Sequence, residues 1–279
     1  MKNQMARCRK YGWIVLLCVG MPMWAQTYRE TVEKAFAMAE KDSLVQAEAL
    51  FKEALKLGPS YAYNAVVFSR LGAIQQRLNR PDEALESYTY SLNIAPKSIQ
   101  TLLDRGALYL NQENPDRAYM DYCEVLDLDS DNEEALLFRA YIYMKRRDYK
   151  AARLDYTKLL SNNPKHYNGL LGMALLNQKE KRYKEAFEHY TKLVEAYPED
   201  ASLYVARAEL EQEMGSWELA LLDMDEAIRL SPSTAENYVA RAAIYLHLEK
   251  KVQAQADLEK AVESGTPRST LQEMFRQCK

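Results

Sequence analysis

The chain has 279 residues, of which 37 are basic and 40 acidic, a formal net charge of −3. Hydrophobic residues make up 48% and charged residues 28%, a balance that fits a folded chain. The acidic balance excludes a surface built by charge for nucleic acid. Four cysteines, two of them at Cys8 and Cys18 ahead of the folded part, are too few for a disulfide framework.

At the N-terminus Lys2, Arg7, Arg9 and Lys10 precede an apolar run from Trp13 to Val19. The breakers Gly20 and Pro22 follow, then Met23, Trp24 and Ala25. This order predicts a secretory signal peptide over 1–25, cleaved after Ala25, and an exported chain in the periplasm or outside the cell. The apolar run falls far below the roughly 20 residues that span a bilayer, so no integral membrane segment is expected after processing. Cys18 raises a lipid attachment, but Leu17 before it is too large for the usual lipobox, and the small residue at Ala25 gives the better signal. Removing four basic and no acidic residues leaves 33 against 40, a net of −7.

Beyond that segment one pattern recurs: an Ala, a large apolar residue four positions on, another residue at seven and usually Pro at twelve. It runs through Ala47, Phe51, Ala54 and Pro59, then Ala84, Tyr88, Ser91 and Pro96, then Ala118, Tyr122 and Val125. It continues as Ala152, Tyr156, Leu159 and Pro164, then Ala186, Tyr190, Leu193 and Pro198, then Ala220, Met224, Ala227 and Pro232, and ends with Ala254, Leu258 and Ala261. From Ala84 onward every step has the length of Ala84 to Ala118, whereas the first, Ala47 to Ala84, is three longer, which places an insertion near Gly58 to Tyr63. Twelve positions before each Ala stands a second small residue: Ala35, Gly72, Gly106, Ala140, Ala174, Ala208 and Ala242. Paired small residues let two helices approach closely while the tyrosines and leucines fill the flanks.

Local signals place the helix starts. Pro81 and Pro115 suit the first turn of a second helix. Ser233 with Glu236 reads as a capping box for the first helix of the last repeat, and Asp131 as the cap of an earlier one. No stretch alternates with period two, so no sheet is expected. After Pro267, the segment Ser269 to Gln277 puts Leu271, Met274 and Phe275 on one side, suited to cover the end of a stack.

Seven in-phase copies at this pitch resemble the tetratricopeptide repeat family. The resemblance implies an all-α fold: a right-handed α-solenoid of about seven helix-turn-helix repeats over 28–267, with a short C-terminal capping helix over 268–279. It also implies a binding function. In that family the concave groove is lined by the first helix of each repeat, at positions three before, one after and four after its small residue. Carried to this chain, the groove is Leu103, Ala107 and Leu110, then Leu137, Tyr141 and Met144, then Leu171, Leu175 and Gln178, flanked by Val205, Glu209 and Gln212. The Lys and Asn set by which related clamps hold a terminal carboxylate is missing. An apolar groove centre favours a hydrophobic or amphipathic segment of a partner protein.

Other chemistry is sparse. His166, His189 and His247 have no metal-ligand spacing, and no phosphate loop or nucleophile elbow is present, so neither cofactor nor active site is expected. Asp127 to Asn132 imitates the start of a calcium loop, but its sixth position is Asn132 and its twelfth is Phe138, which leaves an ordinary turn. Arg105, Arg139, Arg207 and Arg241 each have an Asp sixteen positions on, as Asp121, Asp155, Asp223 and Asp257, and the other three repeats lack both. Either a salt bridge within each repeat or common descent explains that pairing. Two functions follow: an exported, non-catalytic scaffold gripping a partner segment in its groove, or a structural subunit of an envelope assembly that uses its ends or convex face.

Overall fold

The computed structural model describes residues 23–58 and 62–279. Among these are fifteen α-helices and no strand. They pair into seven helix-turn-helix repeats: α1 (Met23–Glu40) with α2 (Leu44–Leu57), α3 (Asn64–Arg77) with α4 (Pro81–Ile94), α5 (Ile99–Asn111) with α6 (Pro115–Leu128), and α7 (Glu133–Lys145) with α8 (Tyr149–Asn162). Then come α9 (Tyr167–Lys179) with α10 (Tyr183–Ala196), α11 (Ala201–Glu213) with α12 (Trp217–Leu230), and α13 (Ala235–His247) with α14 (Lys251–Glu263). The repeats divide between Ser130 and Asp131 into two compact units, α1–α6 and α7 onward.

The turn inside each repeat is built the same way. The seventh residue after the small one has a left-handed backbone: Asp42, Asn79, Glu113, Arg147, Lys181, Gly215 and Glu249, with φ between 56° and 78°. In the second repeat Asn79 N–H donates to the Gln76 carbonyl and Arg80 N–H to that of Gln75, the double closure that ends a helix tightly. Only Gly215 meets this geometry without a Cβ; the other six positions carry side chains into a region that L-residues disfavour. Pro81 and Pro115 occupy the first helical position of α4 and α6, where no backbone N–H is needed.

In the first unit the anchoring residues Ala47, Ala84 and Ala118 are fully buried, and so are Phe51 and Tyr122, with Tyr88 nearly so. A Cβ on Gly72 would lie 2.8 Å from the Tyr88 ring, so the helix can approach that ring only because the residue is glycine. The long first step of the ladder separates into two parts. The connection between α2 and α3 is two residues longer than that between α4 and α5, and α3 is itself one residue longer than α5. Asn64 secures the start of α3, donating to the Gly58 carbonyl at 2.6 Å and accepting from the Tyr28 hydroxyl at 2.7 Å.

In the second unit Ala152, Ala186, Ala220 and Ala254 repeat the pattern with no exposure. The chain then makes a 3-10 turn, Arg268–Leu271, and α15 (Gln272–Gln277). Leu271 is buried with Ala242, Ala254, Leu258 and Ala261, and Met274 and Phe275 pack against them, which covers the last repeat. Two expected caps are corrected. The residue before α13 is Thr234, not Ser233, and its side chain makes no capping bond, so no capping box forms. Asn132 and not Asp131 caps α7, accepting from Ala135 N–H at 3.0 Å, because the helix begins one residue later than a cap at Asp131 requires. Asp131 instead faces Lys158 at 3.3 Å.

Most of the expected signal peptide lies outside the described residues; Met23 to Ala25 form the first turn of α1. No described helix is long and apolar enough to cross a membrane.

Candidate partner-binding surface

The expected groove residues lie on first helices, but burial separates them. In the first unit Leu103 is buried at 5% exposure, which corrects its assignment to a binding surface, and Ala107 and Leu110 are half-buried. In the second unit Leu137 and Met144 pack against the core of Ala140, Ala152, Tyr156, Met173 and Leu176. Leu171 and Val205 pack against the cluster containing Tyr190 and Leu203. Gln178 donates to Glu213 at 2.7 Å, while Glu209 is exposed and Gln212 half-buried. Tyr141 and Leu175 remain open to solvent, at 44% and 40%.

These last two line one hollow between α7 and α9. Met144, Tyr149, Tyr156 and Gly172 form the rest of its apolar lining. Gly172 explains its depth, because a Cβ there would stand 2.6 Å from the Tyr156 hydroxyl and displace the ring. Burial, reinforced by Tyr141 and Asp155, pushes the Tyr156 hydroxyl up to about 12, so it stays protonated at neutral pH. Lys145, Arg147 and Lys179 complete the lining. Lys145 holds its ammonium 5.4 Å over the Tyr141 ring, a cation–π contact.

The basic lining escapes a reading that inspects only apolar groove positions. Its signal is nevertheless in the sequence: Lys145 and Lys179 stand one repeat apart, each five positions after its small residue. Arg147 reaches the hollow from the left-handed turn position.

The arginine–aspartate pairs form within repeats. Arg139 holds Asp155 through two bonds of 2.8 Å. Arg105 with Asp121, Arg207 with Asp223 and Arg241 with Asp257 have the same two-pronged geometry at 2.6–2.9 Å. The aspartates are 4–7% exposed, so the arginine compensates a charge that water scarcely reaches. Arg241 also reaches Asp225 of the preceding repeat at 2.6 Å. Among the described residues no cluster of three His, Cys, Asp or Glu could hold a metal.

Comparison with known proteins agrees with this architecture. The tetratricopeptide repeat profile matches residues 103–167 and 139–201. The crystal structure of a tetratricopeptide repeat protein from Parabacteroides merdae is similar at 32% identity, over 91% of this chain and 99% of that one, with a TM-score of 0.69. The chain therefore belongs to the tetratricopeptide repeat family. The C-terminal part of a TPR repeat-containing protein from Cytophaga hutchinsonii shares the fold at 15% identity, over 89% and 99% of the two chains, with a TM-score of 0.73. YrrB, a TPR protein with an unusual peptide-binding site, shares it at 19% identity, over 64% and 95%, with a TM-score of 0.53. The curated proteins contain no match to this sequence.

Proposed function

We propose that the chain is an exported, non-catalytic scaffold that holds a segment of a partner protein on the first-helix surface of its second unit. The observation that carries this reading is the hollow with Tyr141 and Leu175 at its mouth: large apolar side chains exposed beside a glycine-deepened lining. Solvated apolar surface of this kind is stabilised when a partner side chain covers it. The fold's use for peptide binding in YrrB supports the same reading. Because Met144 packs on the core, the clean test pairs Tyr141→Asp with Leu175→Asp. Both sites are exposed, so partner capture should be lost while helical circular dichroism and the melting temperature hold. Retained capture refutes this surface.

Export rests on the basic, apolar and small-residue order that runs from Lys2 to Ala25. N-terminal sequencing of the protein from cells should begin at Gln26 or within a few residues of it, and an intact Met1 on a cytoplasmic product overturns export.

A second reading, a structural subunit joined through its second helices, has its own observation. Leu154 and Leu222 are 66% and 65% exposed at the same register, two positions after the anchoring Ala, and Met120 is 70% exposed there in the first unit. Leu154→Asp with Leu222→Asp should disturb assembly only if this reading holds.

A further inference from the structure

We infer that the hollow between α7 and α9 selects an acidic amphipathic segment, one with a bulky apolar anchor and carboxylates within about one helical turn of it; the inference rests on the partner-segment reading above. The apolar part of the argument is the lining of Tyr141, Tyr156 and Leu175. The charged part is that Lys145, Arg147 and Lys179 line the same hollow, all three exposed. Several arginines elsewhere in this unit are engaged by carboxylates: Arg153 by Glu180, Arg182 by Glu185, Arg229 by Glu226, Arg268 by Glu259. Arg147 and Lys179 have no such partner among the described residues, and Lys145 has only the Tyr141 ring. Three cations without an ion-pair partner line one apolar hollow, in a chain whose net charge is −3.

Charge complementarity then selects the occupant. A carboxylate beside a low-dielectric wall is attracted more strongly than one in open water, and the three cations relieve their mutual repulsion by accepting it. The lining recognises a side chain of tyrosine or leucine size, which a peptide supplies next to its carboxylates. A nucleic acid would meet the acidic remainder of the chain as soon as it extended past the hollow. The same holds for an anionic membrane.

The test is selection of short random peptides, displayed on phage, against the full mature chain at low salt, with affinities of synthesised winners measured by fluorescence anisotropy. Winners should combine a bulky apolar residue with Asp or Glu within about four positions. Lys145→Glu with Lys179→Glu should weaken them by roughly tenfold, as reversal of two surface charges implies, and should shift a repeated selection toward Lys and Arg. Both sites are exposed, so melting should not move. Neutral or basic winners that survive the lysine reversal but fail on Tyr141→Asp with Leu175→Asp overturn the acidic preference and leave the partner surface standing. Winners indifferent to both double variants, or no enrichment at all, overturn the surface as well. Sedimentation of the protein with phosphatidylglycerol vesicles, abolished by the lysine reversal, would reassign the cations to a membrane and overturn the inference.

Discussion

The fourth and fifth repeats solve one packing problem in two ways. In the fourth, Arg139 grips Asp155 and lies 6.0 Å from the centre of the Tyr143 ring. In the fifth the corresponding residues are Met173 and His189, with no charge pair between them. Arg153 from the fourth repeat's second helix covers the gap, donating to Asn177 at 2.7 Å, pairing with Glu180 and lying 3.7 Å from the Met173 sulfur. His189 is left with its Nδ1 unpartnered within the protein, and burial together with Lys192 lowers its pKa. The slot thus requires filled volume and does not require an ion pair. Replacing both members of a buried pair by apolar groups is often neutral, whereas removing one strands a charge. That asymmetry is a physical reason for Arg and Asp to be present or absent together.

The largest effect expected from this comparison comes from breaking the fourth repeat's pair. Asp155→Ala should cost about 3 kcal/mol, at the low end for a buried pair because Arg139 is 22% exposed and partly screened by water. Arg139→Ala should cost a similar amount. The double variant Arg139→Ala with Asp155→Ala should lose less than the sum of the two single variants in a denaturant-melting cycle. Strict additivity would show that the pair does not act as a unit.

The sixth repeat sharpens the comparison because it keeps the pair but changes its neighbour. In the third, fourth and seventh repeats the arginine lies near a tyrosine four positions on, Tyr109, Tyr143 and Tyr245. Here Arg207 faces Phe187 and Tyr204, and the tyrosine position holds Glu211, buried at 4% exposure with its Oε2 unpartnered within the protein. Burial first, then the Asp223 carboxylate, raise the Glu211 pKa from 4.5 to about 7, against the opposing pull of Arg207. The folded state therefore holds this proton more tightly than the unfolded state, and stability falls as pH rises from about 4.5 through 7. Glu211→Gln should remove that slope and be more stable than the wild type by about 3 kcal/mol at pH 8, with the difference vanishing near pH 4. An unchanged slope in the variant would place the titration elsewhere.

The smallest effect lies in the turns. The sixth repeat meets its left-handed position with Gly215, the seventh with Glu249 at φ 58°. Glu249→Gly should stabilise by about 0.5–1 kcal/mol, the left-handed strain relieved less the added freedom of the unfolded chain. Gly215→Ala should lose about as much. A null result for both in thermal melts would show that the turns carry no strain.

Much of this fold was legible from spacing. The anchoring alanines and the small residues partnering them mark the two helices of each repeat, and a constant sixteen-position offset singled out the arginines and aspartates while leaving a salt bridge and common descent both open. What spacing could not supply was burial. Leu103 and Tyr141 belong to the same apolar ladder, yet one packs inside and the other faces solvent, because neighbouring helices and not the local register decide which side chain is covered. Caps were missed for a related reason: Asn132 and Asp131 are equally good caps by composition, and only the helix's first residue separates them. The basic lining was written in the sequence as Lys145 and Lys179, one repeat apart, but that they line the same hollow as Tyr141 and Leu175 is a property of three dimensions.

The proposed partner site is the first-helix hollow of the second unit. Its most direct measurement compares two exposed-face variants of the tagged protein in co-purification from cells, scored against the melting curve of each. Tyr141→Asp with Leu175→Asp should lose the co-purifying partner at an unchanged melting temperature, while Leu154→Asp with Leu222→Asp should retain it. Retention by the first variant with loss by the second would contradict the claim and move the partner to the second helices.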